Sequence, residues 1–342
     1  MATNSENLPK VTGIDFSKEN EINLKDILES MDNNGGQATE MAKMKSILRE
    51  LIHLRETQPE EKRPLVFIGY TSNMISSGIR EILCYMAKNK HFDVAVTTAG
   101  GIEEDFIKCT CDTKIKDWYV DDIMWRVEGK CRIGNMVIPA NNYKEFEEKC
   151  INLLEDNVKY YKPGDPILTP SKIIEKFSED YDNDESVCCS CYKNGIKVFC
   201  PGFTDGALGD NIYFQSFNND NFVLDINQDL TDMVQIAVNS KRPLAAIILG
   251  GSIPKYHVLN AFKMAGGADY YTCITSNGSW DMSQSGAEVK QDISRGAIKK
   301  DAKCARIIGE AVLLFSQIAT DVYGDFGLVD DSKNDQEEKI EE

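Results

Sequence analysis

Short apolar runs alternate along this chain with stretches in which apolar residues recur at helical spacing. Leu65–Tyr70 is apolar and stops at a polar loop, Thr71-Ser72-Asn73; Ile75, Ile79, Ile82 and Leu83 then take up helical spacing over 75–88. The same order recurs downstream. Phe92–Val96 runs into Thr97–Asp105 and a helix, Gly195–Phe199 into the Gly-rich stretch Pro201–Asp210, and Val223–Ile226 into a helix near 229–240. Leu244–Leu249 leads through Gly250-Gly251 to a helix from about 255, and Ala268–Thr275 is a sixth strand candidate. Upstream, 23–31 and Ala38–Glu56 read as helices, the second with an amphipathic stripe through Met41, Met44, Ile47, Leu48, Leu51 and Ile52. Strands ending in Gly, Ser, Thr or Asp loops and followed by helices predict an α/β fold. Its centre would be a Rossmann-like, doubly wound, largely parallel sheet with helices on both faces, behind an N-terminal helical segment. Ligands on such sheets lie beyond the carboxyl ends of the strands, where these loops gather.

Composition narrows the possibilities. The 342 residues suffice for one large domain, and 42% hydrophobic with 27% charged content is that of a soluble globular protein. We expect a single folded unit over 11–329, a flexible start at 1–10 and an acidic, solvated tail at 330–342. The net charge of −17 argues against nucleic acid, which selects a basic footprint. There is no apolar signal segment near Met1 and no run of membrane-spanning length, so the expected location is cytoplasmic and the eleven cysteines should be reduced thiols. Cys188-Cys189-Ser190-Cys191 holds one Cys-x-x-Cys, but no second half stands at a familiar spacing, and no metal is expected.

The candidate chemistry sits in the loops. The loop after Tyr70 suits an anion at a helix N-terminus, although an ordinary βα turn has the same look. Gly-x-Gly-x-x-Gly follows none of the strands. Glu103 and Glu104 either complement a helix dipole or hold a ribose or an amine; Asp205 and Asp210 are turn residues, N-caps or ligand carboxylates.

Six segments together resemble deoxyhypusine synthase: Gly69–Glu81, Val96–Asp105, Arg132–Asn135, Thr169–Ile173, Phe203–Asp210 and Ile248–Gly251. The resemblance runs in order over roughly residues 11 to 325. It implies an NAD-dependent transferase of homotetramer type, with active sites at a dimer interface. The family moves the butylamine part of spermidine to a lysine of translation initiation factor 5A, through an imine on an enzyme lysine. By position, the NAD-contacting residues would be Ser72, Asn73, Met74, Ile75 and Ser76, then Thr98, Ala99, Gly100 and Glu104. Asp205, Ser276, Asn277 and Glu310 complete that set, and Glu103 and Asp210 stand near the spermidine end.

The amine end departs from the family. Ala297 falls in the position of the nucleophilic lysine, Arg295 in that of a tryptophan, and Tyr256 in that of a proton-handling histidine, with His257 matching the next place. Gln284 and Gln291 replace two carboxylates that grip the polyamine. Neutral amides hold a cation less well than carboxylates, an arginine repels it, and a tyrosine is a poor base at neutral pH. The resemblance therefore points to a catalytically inactive paralogue. It would act as a regulatory subunit that activates or stabilises a catalytic deoxyhypusine synthase in a heterotetramer, a dimer of heterodimers. The alternatives are an enzyme using another lysine, Lys299 or Lys300, and an NAD-binding scaffold. The family's longer leader, whose helix can cover the site entrance, is expected to be missing.

Overall fold

The computed structural model describes residues 8–17, 22–158 and 161–324. The expected start at 1–10 is described only from Leu8, and the acidic stretch 330–342 lies outside the described residues. In chain order the strands are β1 (Leu65–Tyr70), β2 (Val94–Val96), β3 (Lys114–Ile115), β4 (Lys130–Ile133), β5 (Met136–Pro139), β6 (Lys197–Phe199), β7 (Leu244–Leu249), β8 (Ala268–Thr275) and β9 (Ile298–Ile308). Six of them form one sheet in the order β6-β2-β1-β7-β8-β9, every pairing parallel. Numbered among themselves these are strands 3-2-1-4-5-6, the doubly wound order, and the order in which strands are added reverses between β1 and β7.

β1 and β7 are buried at every position, because helices cover both faces. The two-residue period of a strand divides β1 between two cores. Val66, Ile68 and Tyr70 join a cluster with Met44, Leu48 and Leu51 of the helix Gly36–Thr57 and Phe315 of the helix Ala311–Tyr323. Leu65 and Phe67 join the opposite cluster, with Met233, Val258 and Phe262. There the Phe67 and Phe262 rings lie 4.9 Å apart. The amphipathic stripe through Met41–Leu51 is thus a core face.

Several expectations are corrected. The helix expected over 75–88 is two, Asn73–Ser76 and Ile79–Lys88, broken at Ser77-Gly78. Val223–Ile226 is no strand: Leu224 makes one bridge to Leu168, and Asp225 caps the helix Ile226–Val238 by accepting from Asn227 N and Gln228 N. The cap wins because four residues with one bridging neighbour gain little from a ladder. The outermost strand, β9, was not anticipated. Lys299, Lys300, Asp301 and Lys303 interrupt its apolar pattern, as charges do on sheet edges. Its register against β8 shifts between Ala268 and Tyr270, so residues 299–302 are unpaired there. A second sheet, β3-β5-β4, is antiparallel and was equally unforeseen.

Candidate functional site

At the reversal between β1 and β7, two loops meet beyond the carboxyl ends. Thr71 N–H donates to Leu249 O at 3.2 Å and Gly250 N–H to Ile274 O at 2.8 Å, which ties the loops to the sheet. Gly250 has φ +103°, and a Cβ on it would lie 2.4 Å from Thr71 Oγ1. Only glycine fits that position. A cavity of about 290 Å³ opens here, lined by Thr71, Asn73, Gly250, Gly251, Ser276, Asn277, Ser285 and Glu310.

Four residues expected at a cofactor, Asn73, Ser276, Asn277 and Glu310, therefore share one cavity. Ser72 lies against Gly100, whose added Cβ would be 3.0 Å from Ser72 Cβ. Thr98 precedes the helix Ala99–Ile107 without capping it, and among the described residues its buried Oγ1 has no hydrogen-bond partner. Met74, Ile75 and Ala99 face the apolar core, so only their backbone is available to a ligand. Ser76 Oγ donates to Ser72 O at 3.3 Å. Glu310 is occupied locally, accepting from Val312 N at 2.9 Å and Leu313 N at 2.7 Å as the N-cap of the last helix.

The carboxylates form a second group. Glu103 and Glu104 are buried within the helix Ala99–Ile107 rather than arranged on its first turn. Glu103 Oε1 accepts from Leu208 N at 2.7 Å and lies against Gly206. Burial raises its pKa to about 7, aided by Glu104, Asp210 and Asp205 and opposed by the Leu208 bond. Asp205 and Asp210 are exposed. Glu104 Oε1 accepts from Tyr143 OH at 3.3 Å, while its Oε2 is buried without a partner. Burial raises its pKa, against the Tyr143 bond and Lys108. Glu103 is thus partly protonated near neutral pH, and Glu104 Oε2 can still accept a hydrogen bond.

Glu103 makes stability depend on pH. Between its ordinary 4.5 and about 7 the unfolded chain has lost the proton that the folded chain keeps, so stability falls as pH rises through that window and is level outside it. Glu103→Gln should remove a decline of order 3 kcal/mol, read from urea midpoints at pH 4.5 and 7.5.

The third group surrounds Tyr256. Lys255 and Asp292 are both fully buried and pair at 3.3 Å, and Lys255 Nζ donates to Gln284 O at 3.1 Å. Tyr256 OH donates to Asp292 Oδ1 at 2.8 Å. Arg295 NH1 donates to Gln284 Oε1 at 2.7 Å and to Tyr256 OH at 3.0 Å. Burial first, then Asp292, push the Tyr256 pKa up, so the hydroxyl keeps its proton at neutral pH. Burial lowers the pKa of His257, which is neutral there. Gln291 accepts from Glu288 N at 2.9 Å in a capping box. Ala297 is buried in the second apolar cluster, its N–H donating to Asp292 O at 3.0 Å. Lys299 is paired with Asp269 at 2.7 Å, and Lys300 is exposed.

Ala297 stands level with the first residue of β8, since Ala268 N–H donates to Ala297 O. The crevice lies past the last, Thr275. Seven strand steps put roughly 20 Å between the two. One chain does not bring Ala297 to its own crevice.

Residues 26–322 match the sequence model of the deoxyhypusine synthase family. This chain belongs to the deoxyhypusine synthase family. It is 36% identical to deoxyhypusine synthase of Senecio vernalis over 331 residues, covering 92% of this chain and 89% of the relative. It is also 35% identical over 331 residues to homospermidine synthase 2 of the same plant, again with 92% and 89% covered. A crystal structure described as a deoxyhypusine synthase from Entamoeba histolytica superposes with TM-score 0.65 at 23% identity, over 92% of this chain and 97% of that one, and shares the fold.

Within the deoxyhypusine synthase fold, sequence reasoning missed Lys255 and Asp292. Lys255 directly precedes Tyr256, and its pairing with Asp292 spans 37 positions, which no local pattern reveals. Among the described residues no group of three or more His, Cys, Asp or Glu is placed to hold a metal, and no helix is long and apolar enough to cross a membrane.

Proposed function

We propose that this chain is a non-catalytic, regulatory subunit of a deoxyhypusine synthase. It pairs with a lysine-bearing paralogue, as a dimer of heterodimers, and activates or stabilises it. The observation that carries the reading is the contrast between the two ends. Where the family keeps its nucleophile stands the buried methyl of Ala297, and the surrounding amine end holds two cations, Lys255 and Arg295, against one carboxylate, Asp292. The carboxyl-end crevice retains its close-packed glycine loop and its polar lining.

That crevice would hold part of NAD. Gly250 and Gly251 let the loop pack against Thr71 and Ser285, which leaves Asn73, Ser276 and Asn277 as polar lining of the crevice. Its 290 Å³ is at the small end of ligand pockets, so a dinucleotide also needs adjoining surface, which a second chain can supply. Bound NAD supplies hydride transfer to and from the polyamine. Asn73, Ser276 and Asn277 would bind and orient it, while Glu103 and Glu104 would receive the amine of the substrate. The lysine would come from the partner's opposite end, and the acceptor would be translation initiation factor 5A. Ile115, Trp118, Tyr119, Ile123 and Val127 are exposed around the small sheet, apolar surface of the kind a partner covers.

The test is turnover of each chain alone and of the two mixed, by spermidine cleavage and deoxyhypusine formation. The isolated chain should be inactive, and mixing should raise the paralogue's rate at least about tenfold with a plateau at equal amounts. No gain on mixing refutes the reading. One observation favours a second possibility: Lys255 is an amine already inside the amine end. Turnover by the isolated chain, lost in Lys255→Ala, would make it an enzyme in its own right.

A further inference from the structure

A cavity of about 740 Å³ lies at the amino ends of β1, β2 and β6, on the far side of the sheet from the crevice. Five cationic side chains line it, Arg55, Arg63, Lys90, Lys197 and Arg242, in a chain whose net charge is −17. Its floor is a closed unit. Asp93 is held by Arg55 at 2.6 Å and Arg242 at 3.3 Å and accepts from Val66 N at 2.8 Å. Two guanidiniums against one carboxylate leave the floor positive. Lys197 is paired with Glu175. Glu56 and Glu60 also line the cavity, and both are exposed.

Two cations have charge to spare. Among the described residues Lys90 Nζ has no hydrogen bond or ion pair, and Arg63 uses only Nε, donating to Gln58 O at 2.7 Å. Lys90 is held in the left-handed region, φ +52°, and its carbonyl accepts from Arg55, which fixes the turn that carries the ammonium. Aromatic surface adjoins them: Tyr85 is half-exposed, its ring 5.8 Å from that of His91, which packs on Tyr323 at 4.9 Å. Among the described residues the buried His91 Nε2 has no hydrogen-bond partner.

We propose that this cavity is a second ligand site, for a phosphorylated nucleoside, with the phosphates on Lys90 and Arg63 and the base against Tyr85 and His91. The volume lies within the range of small-molecule sites. Spare cations over a positive floor select phosphate, and the exposed ring of Tyr85 accepts a planar group. The site stands independently of the regulatory reading.

The probe is ADP, titrated calorimetrically into the full chain, with adenosine and inorganic phosphate as separate arms. Lys90→Asn keeps a residue tolerant of the left-handed backbone and removes the charge; it should weaken ADP about tenfold, and Lys90→Asn with Arg63→Gln further. Because ADP is also half of a dinucleotide, the site is mapped directly with 8-azido-ADP, which should label the peptide holding Tyr85 to Asp93. Labelling confined to the loops at Ser72 and Ser276, affinity unchanged in the double variant, phosphate binding as tightly as ADP, or no ADP binding would each overturn the proposal.

Discussion

Ala297→Lys alone is expected to leave the isolated chain without measurable turnover of spermidine, although it restores an amine where the family has one. The new side chain would enter a buried, apolar place one backbone hydrogen bond from Asp292, and burial favours its neutral, nucleophilic form. What is missing is the grip on the substrate. Gln284 is engaged by Arg295, and Gln291 caps its own helix. Each charge-assisted hydrogen bond to a carboxylate is worth about 1.5–3 kcal/mol, so two lost grips cost on the order of a hundredfold to ten-thousandfold. Combining Ala297→Lys with Gln284→Asp, Gln291→Glu and Arg295→Trp should therefore exceed Ala297→Lys by at least about a hundredfold in borohydride-trapped spermidine adduct. Equal trapping by the two would show that the amine was the whole deficit. Circular dichroism on both variants separates a binding defect from a folding one.

The largest effect on stability is expected at Asp105. Its carboxylate is fully buried and serves four donors: Arg80 Nε at 2.8 Å, Ser186 Oγ at 2.7 Å, Val187 N at 3.2 Å and Cys188 N at 2.8 Å. It joins the helices Ile79–Lys88, Ala99–Ile107 and Val187–Lys193, and it takes up free N–H groups at the start of the last. Asp105→Ala would strand the buried Arg80 guanidinium and those N–H groups and should destabilise the chain by about 4 kcal/mol. Arg80→Met with Asp105→Ala should recover part of that loss, because no unpaired charge is then left buried. Shifts in the urea midpoint at constant slope would measure both.

The sequence made the frame legible where local pattern and tertiary demand agree. Leu65–Tyr70 and Leu244–Leu249 are apolar at nearly every position because both faces are covered, and Gly250 marks a φ that only glycine tolerates. Pattern failed where distant pairing decides. β9 is a strand because β8 lies beside it, despite Lys299, Lys300 and Asp301 in its own sequence. Val223–Ile226 looks extended but is claimed by the Asp225 cap. Asn73, Ser276, Asn277 and Glu310, which the resemblance puts at a cofactor, line one cavity. Met74 and Ile75 were placed with them, and their side chains belong to the core. The Lys255–Asp292 pair escaped notice because nothing at either residue announces the other.

The depth of the sheet between Ala297 and the crevice sets a limit on arithmetic. If every working centre joins the upper end of one polypeptide to the lower end of its neighbour, two copies of a lysine-bearing paralogue make two live centres, while a mixed couple makes one live and one mute. Replacing half the enzyme with this chain thus lowers the head-count of live centres per couple. A faster mixture must then owe its speed to a quicker cycle at each survivor, so the quantity to measure is rate per titratable centre, not rate per milligram.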